Sequence, residues 1–342
     1  MKKYLINFST ILGISGITMW VIISKNPTSE LTATFKNLVP KWILLGVLCI
    51  VLYWGFETLI QNLLVRRMCK GRHLWNSFKV VMTGHFFNAI TPFASGGQPM
   101  QAMTMVQQGV PIGTSASILL SKFIVYQTIL TLYSLVVLLL ELKFFIKRVN
   151  GLVYLSLLGF SINAVVVVIL ICAAFMKQKV KRVGFWAINL LAKMHIIKKP
   201  VAYKKNIIRQ VDLFNSNIQG IRGNMGLVIK IVGLTVLQLT AYFLIPFAVY
   251  RALGLTGTEV FLMISATAFI VMISSFVPIP GGSGAAEGSF FIFFQLFFPK
   301  TILPVAILFW RILTFYVPLC CGALMTMLPN YQNKCLKKVE RI

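Results

Sequence analysis

Acidic residues are the scarcest chemistry in this sequence. Seven Asp and Glu stand among 342 residues, against 33 Lys and Arg. Charged residues together make up 12%, where a soluble domain carries about 25%. The acids outside the apolar runs are Glu30, Glu141, Asp212, Glu259 and Glu340. They are too scattered for the carboxylate cluster that a metal-dependent transferase outside the membrane would need. The six cysteines, Cys49, Cys69, Cys172, Cys320, Cys321 and Cys335, show no CxxC spacing and lie mostly inside apolar runs. They read as small apolar side chains, which excludes a disulfide framework and a zinc site. The three histidines, His73, His85 and His195, match no metal-ligand spacing. No P-loop, HExxH helix or GxSxG elbow is present. Neither a metal, a cofactor nor a catalytic residue is expected.

Long apolar runs are what the chain has instead. It is 58% hydrophobic, with mean hydropathy +0.83. About 20 apolar residues cross a bilayer, and the uncharged runs place the spans. These are Tyr4–Ser24, Trp42–Val65, Thr114–Leu140, Val149–Met176, Ile231–Tyr250 and Ile302–Leu328. Two further runs are broken by Pro and Gly: Val80–Ser121 at Pro92–Pro99, and Val260–Ala286 at Pro278. Lys2 and Lys3 precede the first run, but no A-x-A-like cleavage site follows, so it reads as a retained helix. The expected fold is an all-α polytopic membrane protein with about six full spans and two broken, re-entrant helix pairs.

The net charge of +26 sits in the gaps between runs. That favours the positive-inside bias and anionic inner-leaflet lipid over nucleic acid. Lys177 to Met225 holds eleven Lys and Arg against Asp212. With the basic gap Arg66–Arg72 and the tail Lys334–Arg341, it is expected on the cytoplasmic side, with both termini. Within 177–225, Val183, Ala187, Leu190, Met194 and Ile197 recur at helical spacing, as do Ile208, Val211, Phe214, Ile218 and Ile221. They describe two basic amphipathic helices, lying on the inner leaflet or packed on the bundle.

The order of spans and breaks repeats. One integral domain, 1–342, divides into a first repeat, 1–148, and a second, 149–342. Three full crossings per half make the second copy inverted. Lys122 follows Pro92 by 30 residues and Arg311 follows Pro278 by 33, each within an apolar span and each trailed by a tyrosine, Tyr126 and Tyr316.

A helix that starts at membrane depth leaves its first N–H groups unpaired and presents the positive end of its dipole. Gly97-Gln98-Pro99 has the form of such a start. Gly281, Gly282 and Gly284 would let backbone approach a ligand at the second. Together with Lys122 and Arg311 these predict a positive, polar centre in an apolar slab, suited to a phospholipid or lipid-linked phosphate. A buried charge costs at least about 2.5–3.5 kcal/mol on insertion scales, so partners are needed. Glu57 and Glu287 are the available counter-charges. Asn88 and Gln98 are candidate headgroup donors, or serve the backbone freed at the break. Tyr126 and Tyr316 line the site or merely pack. Glu287 caps its helix or pairs with a cation.

HFFNAITPFASGGQPMQ, SKFIVYQ, PIPGGSGAAEG and WRILTFYVP together resemble the lysylphosphatidylglycerol synthetase transmembrane-region family, the membrane half of MprF-type proteins. The P-x-P-G-G-x-G-x-x-E element at Pro278–Glu287 is the most specific match. Many members carry Glu where this chain has Gln98, so no carboxylate role carries over there. The resemblance implies a flippase moving aminoacylated phosphatidylglycerol to the outer leaflet of the bacterial cytoplasmic membrane. With lysyl-phosphatidylglycerol as cargo it implies resistance to cationic peptides. In MprF-type proteins a soluble C-terminal domain attaches the lysine. This sequence ends 13 residues after Pro329, so that lysyltransferase domain is expected to be missing.

Three readings stay open. The first is a flippase for an anionic or aminoacylated phospholipid. The second is a phosphatidylglycerol lysyltransferase using lysyl-tRNA, or its membrane subunit. The third is a non-transporting scaffold. A separate synthase and a second copy of the chain are open as partners.

Overall fold

The computed structural model describes residues 38–68, 74–148, 150–175, 214–274 and 285–330, with single positions at 186, 208 and 212. Helices joined by short turns make up these stretches. The helices are α1 (Pro40–Met68), α2 (Leu74–Ile90), α3 (Gly97–Gln107), α4 (Ile112–Arg148), α5 (Asn150–Phe175), α6 (Met225–Phe243), α7 (Ile245–Ala252), α8 (Val260–Ser274), α9 (Ala285–Phe294), α10 (Leu303–Arg311) and α11 (Val317–Met327). Among the described residues four stretches are long and apolar enough to cross a membrane: Pro40–Arg67, Ile112–Glu141, Met225–Ala252 and Leu303–Met327. The expected first span, Tyr4–Ser24, and most of the basic segment lie outside the described residues. So do Gly281, Gly282 and Gly284.

Apolar side chains face outward as well as inward. Leu44, Leu48 and Val51 of α1, Leu132, Val136 and Leu139 of α4, and Val165, Val168 and Ile169 of α5 are all exposed. A soluble bundle would cover such stripes; a bilayer does so here. The interior is aromatic. Phe145 meets Phe269 and Phe293 edge-on, and Phe290 stacks on Phe294 at 4.1 Å.

Helix ends sort onto two faces of the bundle. At one face the Val39 N–H donates to the Ala252 carbonyl at 2.9 Å, and Tyr250 packs on Phe298. At the other, Lys79 donates to the Leu328 carbonyl and Asn330 donates to Gln107. The α2–α3 pair therefore enters from the second face, and the α8–α9 pair from the first. Packing is reciprocal: α1 lies against α6 and α7, α2 against α11, and α8 against α4.

The helices depart from the expected spans in three places. The basic gap at Lys143, Lys147 and Arg148 is helical, because no Gly or Pro follows Gly113 in α4. Its 37 residues extend about 55 Å, well past the roughly 30 Å hydrocarbon core. The Ile231–Tyr250 run is two helices that meet at Leu244, because Pro246 carries no N–H to continue the ladder. The last span holds a π-helical turn, Ile312–Tyr316, between Arg311 and the helix that carries Pro318.

One part of the basic segment is described. Residues 214–222 are helical. Ile221 is buried against Ile60, Leu64 and Ile231, and Asn217 donates to Thr114 at 3.1 Å. This last turn packs on the bundle.

Candidate headgroup site

The first break is built by the end of α2. Thr91 precedes Pro92 and takes an extended conformation, φ −120° and ψ 144°, as a residue before proline must. Phe93 and Ala94 then adopt positive φ, 54° and 51°, which is strained for side-chain-bearing residues. The Thr91 hydroxyl donates to the Phe87 carbonyl at 2.6 Å and accepts from the Gly96 N–H at 2.8 Å. Asn88 Oδ1 accepts from the Gly97 N–H at 3.0 Å. A Cβ on Gly97 would overlap the Asn88 side chain, so a larger residue there would have to displace Asn88 from the hydrogen bond it makes. The expectation that these first N–H groups point at a ligand is thus corrected: Thr91 and Asn88 take two of them. Asn88 serves the backbone while also lining the site.

Three helices bring a charge cluster together. Glu57 of α1 accepts from Lys122 of α4 through Oε1 at 3.1 Å and meets His85 Nε2 of α2 through Oε2 at 2.9 Å. An ionised carboxylate only accepts, so the imidazole presents an N–H on Nε2. The three side chains are 12–18% exposed. They border a cavity of about 580 Å³ together with Asn88, Gln98, Tyr53 and Tyr126. That volume lies within the roughly 300–1,000 Å³ typical of small-ligand sites.

A second ion pair lies nearby. Arg311, the last residue of α10, reaches Glu287 Oε1 at 2.7 Å through Nε. Glu287 stands in the first turn of α9, where a carboxylate also suits the helix dipole. Trp310 and Phe315 flank the guanidinium, with ring centroids 5.1 and 5.3 Å from Cζ. Arg311 lines a smaller cavity of about 280 Å³. Asn88, Ala89 and Ala94 reach this cavity from the first break, and Ser274 and Ala286 from the flanks of the second. Described residues next to both breaks therefore line this one cavity. His85, Asn88 and Ala94 line both cavities and form their common wall.

Lys122, Arg311, Glu57, Glu287, Asn88, Gln98 and Tyr126 are accordingly gathered in one region. Tyr316 is not at either cavity. It packs edge-on to Phe315, beside Phe87 and Ile90. The centre also differs in charge from the positive pocket expected: each of the two cations carries its own carboxylate.

Sequence reasoning passed over His85, Tyr53 and Tyr242. His85 was set aside because it fits no metal spacing. Its own signal was a lone ionisable residue in an apolar run, which by itself marks a membrane site. Tyr53 stacks obliquely between His85 and Tyr242, at 5.7 and 5.2 Å, linking the two clusters. Nothing in the local sequence marks it.

Comparison with known proteins agrees with this architecture. A family model described as the lysylphosphatidylglycerol synthase TM region matches residues 10–322. A UPF0104 membrane protein of Archaeoglobus fulgidus is 26% identical over 338 residues, covering 94% of this chain and 97% of the relative. An uncharacterized protein of Mycoplasma pneumoniae, the MG306 homolog, is 23% identical over 343 residues, covering 92% of this chain and 84% of its own length.

Proposed function

This chain belongs to the lysylphosphatidylglycerol synthase transmembrane-region family and is a multi-pass membrane protein, and on that footing we propose that it moves phospholipid headgroups between leaflets. The cargo is an anionic or aminoacylated phospholipid, with lysyl-phosphatidylglycerol as the candidate, in the bacterial cytoplasmic membrane. The basic segment 177–225 and both termini face the cytoplasm.

The observation that carries this reading is the Glu57 carboxylate, held between Lys122 and His85 on the wall of a 580 Å³ cavity. Ionisable groups at membrane depth are expensive and mark transport paths. The paired state supplies a resting form without exposed charge. An arriving phosphate takes the place of Glu57 on Lys122, or of Glu287 on Arg311. The released carboxylate then accepts the ammonium of an aminoacylated headgroup. For a headgroup with one phosphate and one ammonium, both charges of the cargo replace both charges of the pair, so its translocation leaves no buried charge alone.

Reciprocal helix packing and the entry of the two broken pairs from opposite faces support an inverted repeat, 1–148 against 149–342. Rocking of one repeat on the other would open the central cavities to each leaflet in turn.

Leaflet exchange in proteoliposomes tests the reading. Lys122→Met alone strands Glu57, so the informative variant is Lys122→Met with Glu57→Gln, which stays neutral. A lost charge-assisted contact worth about 1.5–3 kcal/mol lowers exchange roughly 10- to 150-fold. Wild-type exchange no faster than in protein-free vesicles, for every phospholipid and polyprenyl phosphate tried, overturns the proposal. So does a double variant as fast as wild type.

A further inference from the structure

The first charge cluster holds one more ionisable group than static pairing requires. Glu57 and Lys122 already neutralise each other across 3.1 Å. His85 rests on the same carboxylate at 2.9 Å and borders both cavities. With a neutral imidazole the cluster carries no net charge. A phosphodiester entering the cavity then brings one negative charge into a medium that tolerates none uncompensated. One proton on His85 restores the balance. Nδ1 accepts it from water at the open leaflet, the Nε2–H stays on Glu57, and the ring becomes an imidazolium. When the headgroup leaves, the proton returns to water.

We propose that His85 is a proton-binding site, so that an anionic phosphodiester headgroup and one proton occupy the cavity together and leave together. The inference rests on the headgroup-transfer reading above and adds its energy source and its substrate rule. A headgroup with net charge −1 moves with a proton. A zwitterionic headgroup brings its own ammonium and does not.

The surroundings single out His85. Glu57 and Tyr53 from α1 touch it, Lys122 and Tyr126 from α4, Tyr242 from α6 and Arg311 from α10 share its cavities, and Glu287 from α9 is paired to Arg311. To the walls of these cavities α3 gives Gln98, Pro99 and Gln101, and α11 gives Pro318, none of them ionisable. Of these side-chain types, imidazole is the one that ordinarily changes charge between about pH 5 and 8. Glu57 holds the ring in place and supplies the counter-charge for its loaded form. The shared wall lets the proton site be reached from either cavity.

The test uses the full chain in proteoliposomes with acyl-labelled phosphatidylglycerol or phosphatidylethanolamine, at equal pH and under a gradient of one pH unit. One proton per lipid shifts the steady leaflet ratio of phosphatidylglycerol up to about tenfold, and leaves that of phosphatidylethanolamine unmoved. In His85→Gln the phosphatidylglycerol ratio ignores the gradient. If wild type exchanges lipid but neither ratio follows the gradient, proton coupling is wrong and headgroup transfer stands. If His85→Gln follows the gradient as wild type does, the assignment to His85 is wrong. If neither lipid exchanges, both proposals end together. Should His85→Gln fail to assemble, the wild-type contrast between the two lipids decides by itself.

Discussion

Asn88 shows how one side chain can hold a broken helix together. Its Oδ1 takes the Gly97 N–H at 3.0 Å, a group that otherwise faces no partner within its own helix. Asn88→Ala should cost about 0.5–2 kcal/mol, as loss of a helix cap does. Asn88→Asp keeps the acceptor and should recover most of the melting temperature in detergent. An equal loss for both would mean that the cap is not what matters there. The Arg311–Glu287 pair makes a larger prediction. Glu287→Ala leaves a guanidinium that is 7% exposed without its carboxylate. Removing one partner of a buried pair costs about 3–5 kcal/mol, while Glu287→Ala combined with Arg311→Met should be distinctly more stable than the single change. Thermal unfolding of the purified variants decides between these.

At the level of elements, close approach of α2 and α11 depends on Gly322. A Cβ there would lie 2.6 Å from the Met82 carbonyl oxygen and 2.8 Å from Phe86 Cβ. The first contact is backbone and cannot rotate away. Gly322→Val must push the helices apart, costing roughly 1–3 kcal/mol as overpacking does. It should also lower headgroup exchange, since α2 carries His85 and Asn88. Gly55, whose Cβ would meet nothing within 4 Å, is the control: Gly55→Ala should leave melting unchanged or raise it slightly. The π turn after Arg311 follows from Pro318 in the same way. A proline within a helix has no N–H to donate, and the turn before it widens. It also lets the chain aim Arg311 inward while Ile312 stays exposed.

For the molecule as a whole, the two faces of the bundle set its direction in the membrane. The proposed orientation puts the C-terminus of α1, at Arg67, on the cytoplasmic side and the C-terminus of α4, near Lys147, on the other. In a cysteine-free background, Arg67→Cys should react with an impermeant maleimide only after cells are opened, and Lys147→Cys in intact cells. The reverse pattern would invert the topology and with it the stated direction of the basic segment. The lipid-facing stripes belong to this scale as well. Leu139 and Leu140 are 68% and 65% exposed, as side chains that face lipid would be.

The sequence by itself determined the solvent. A chain with seven acids and runs of apolar residues longer than a soluble core can use must span a bilayer, and backbone cannot leave a helix there without local partners. Composition and period therefore carried the helical class, the break at Pro92–Pro99, and Lys122, Arg311, Glu57 and Glu287 as the charges to watch; the break expected at Pro278 lies outside the described residues. What only the tertiary structure decided was who meets whom. Glu57 could have served either cation, and it is the crossing of α1, α2 and α4 that gives it Lys122 and His85. His85 drew no notice in one dimension, because a carboxylate 28 residues away has no local signature. For Tyr316 the sequence leaves lining and packing open, because its spacing after Arg311 matches that of Tyr126 after Lys122; in the structure it packs on Phe315, while Tyr126 lines the cavity. Polarity is a property of each residue and survives in a string of letters. Pairing depends on the angles and contacts of helices that are distant in the chain.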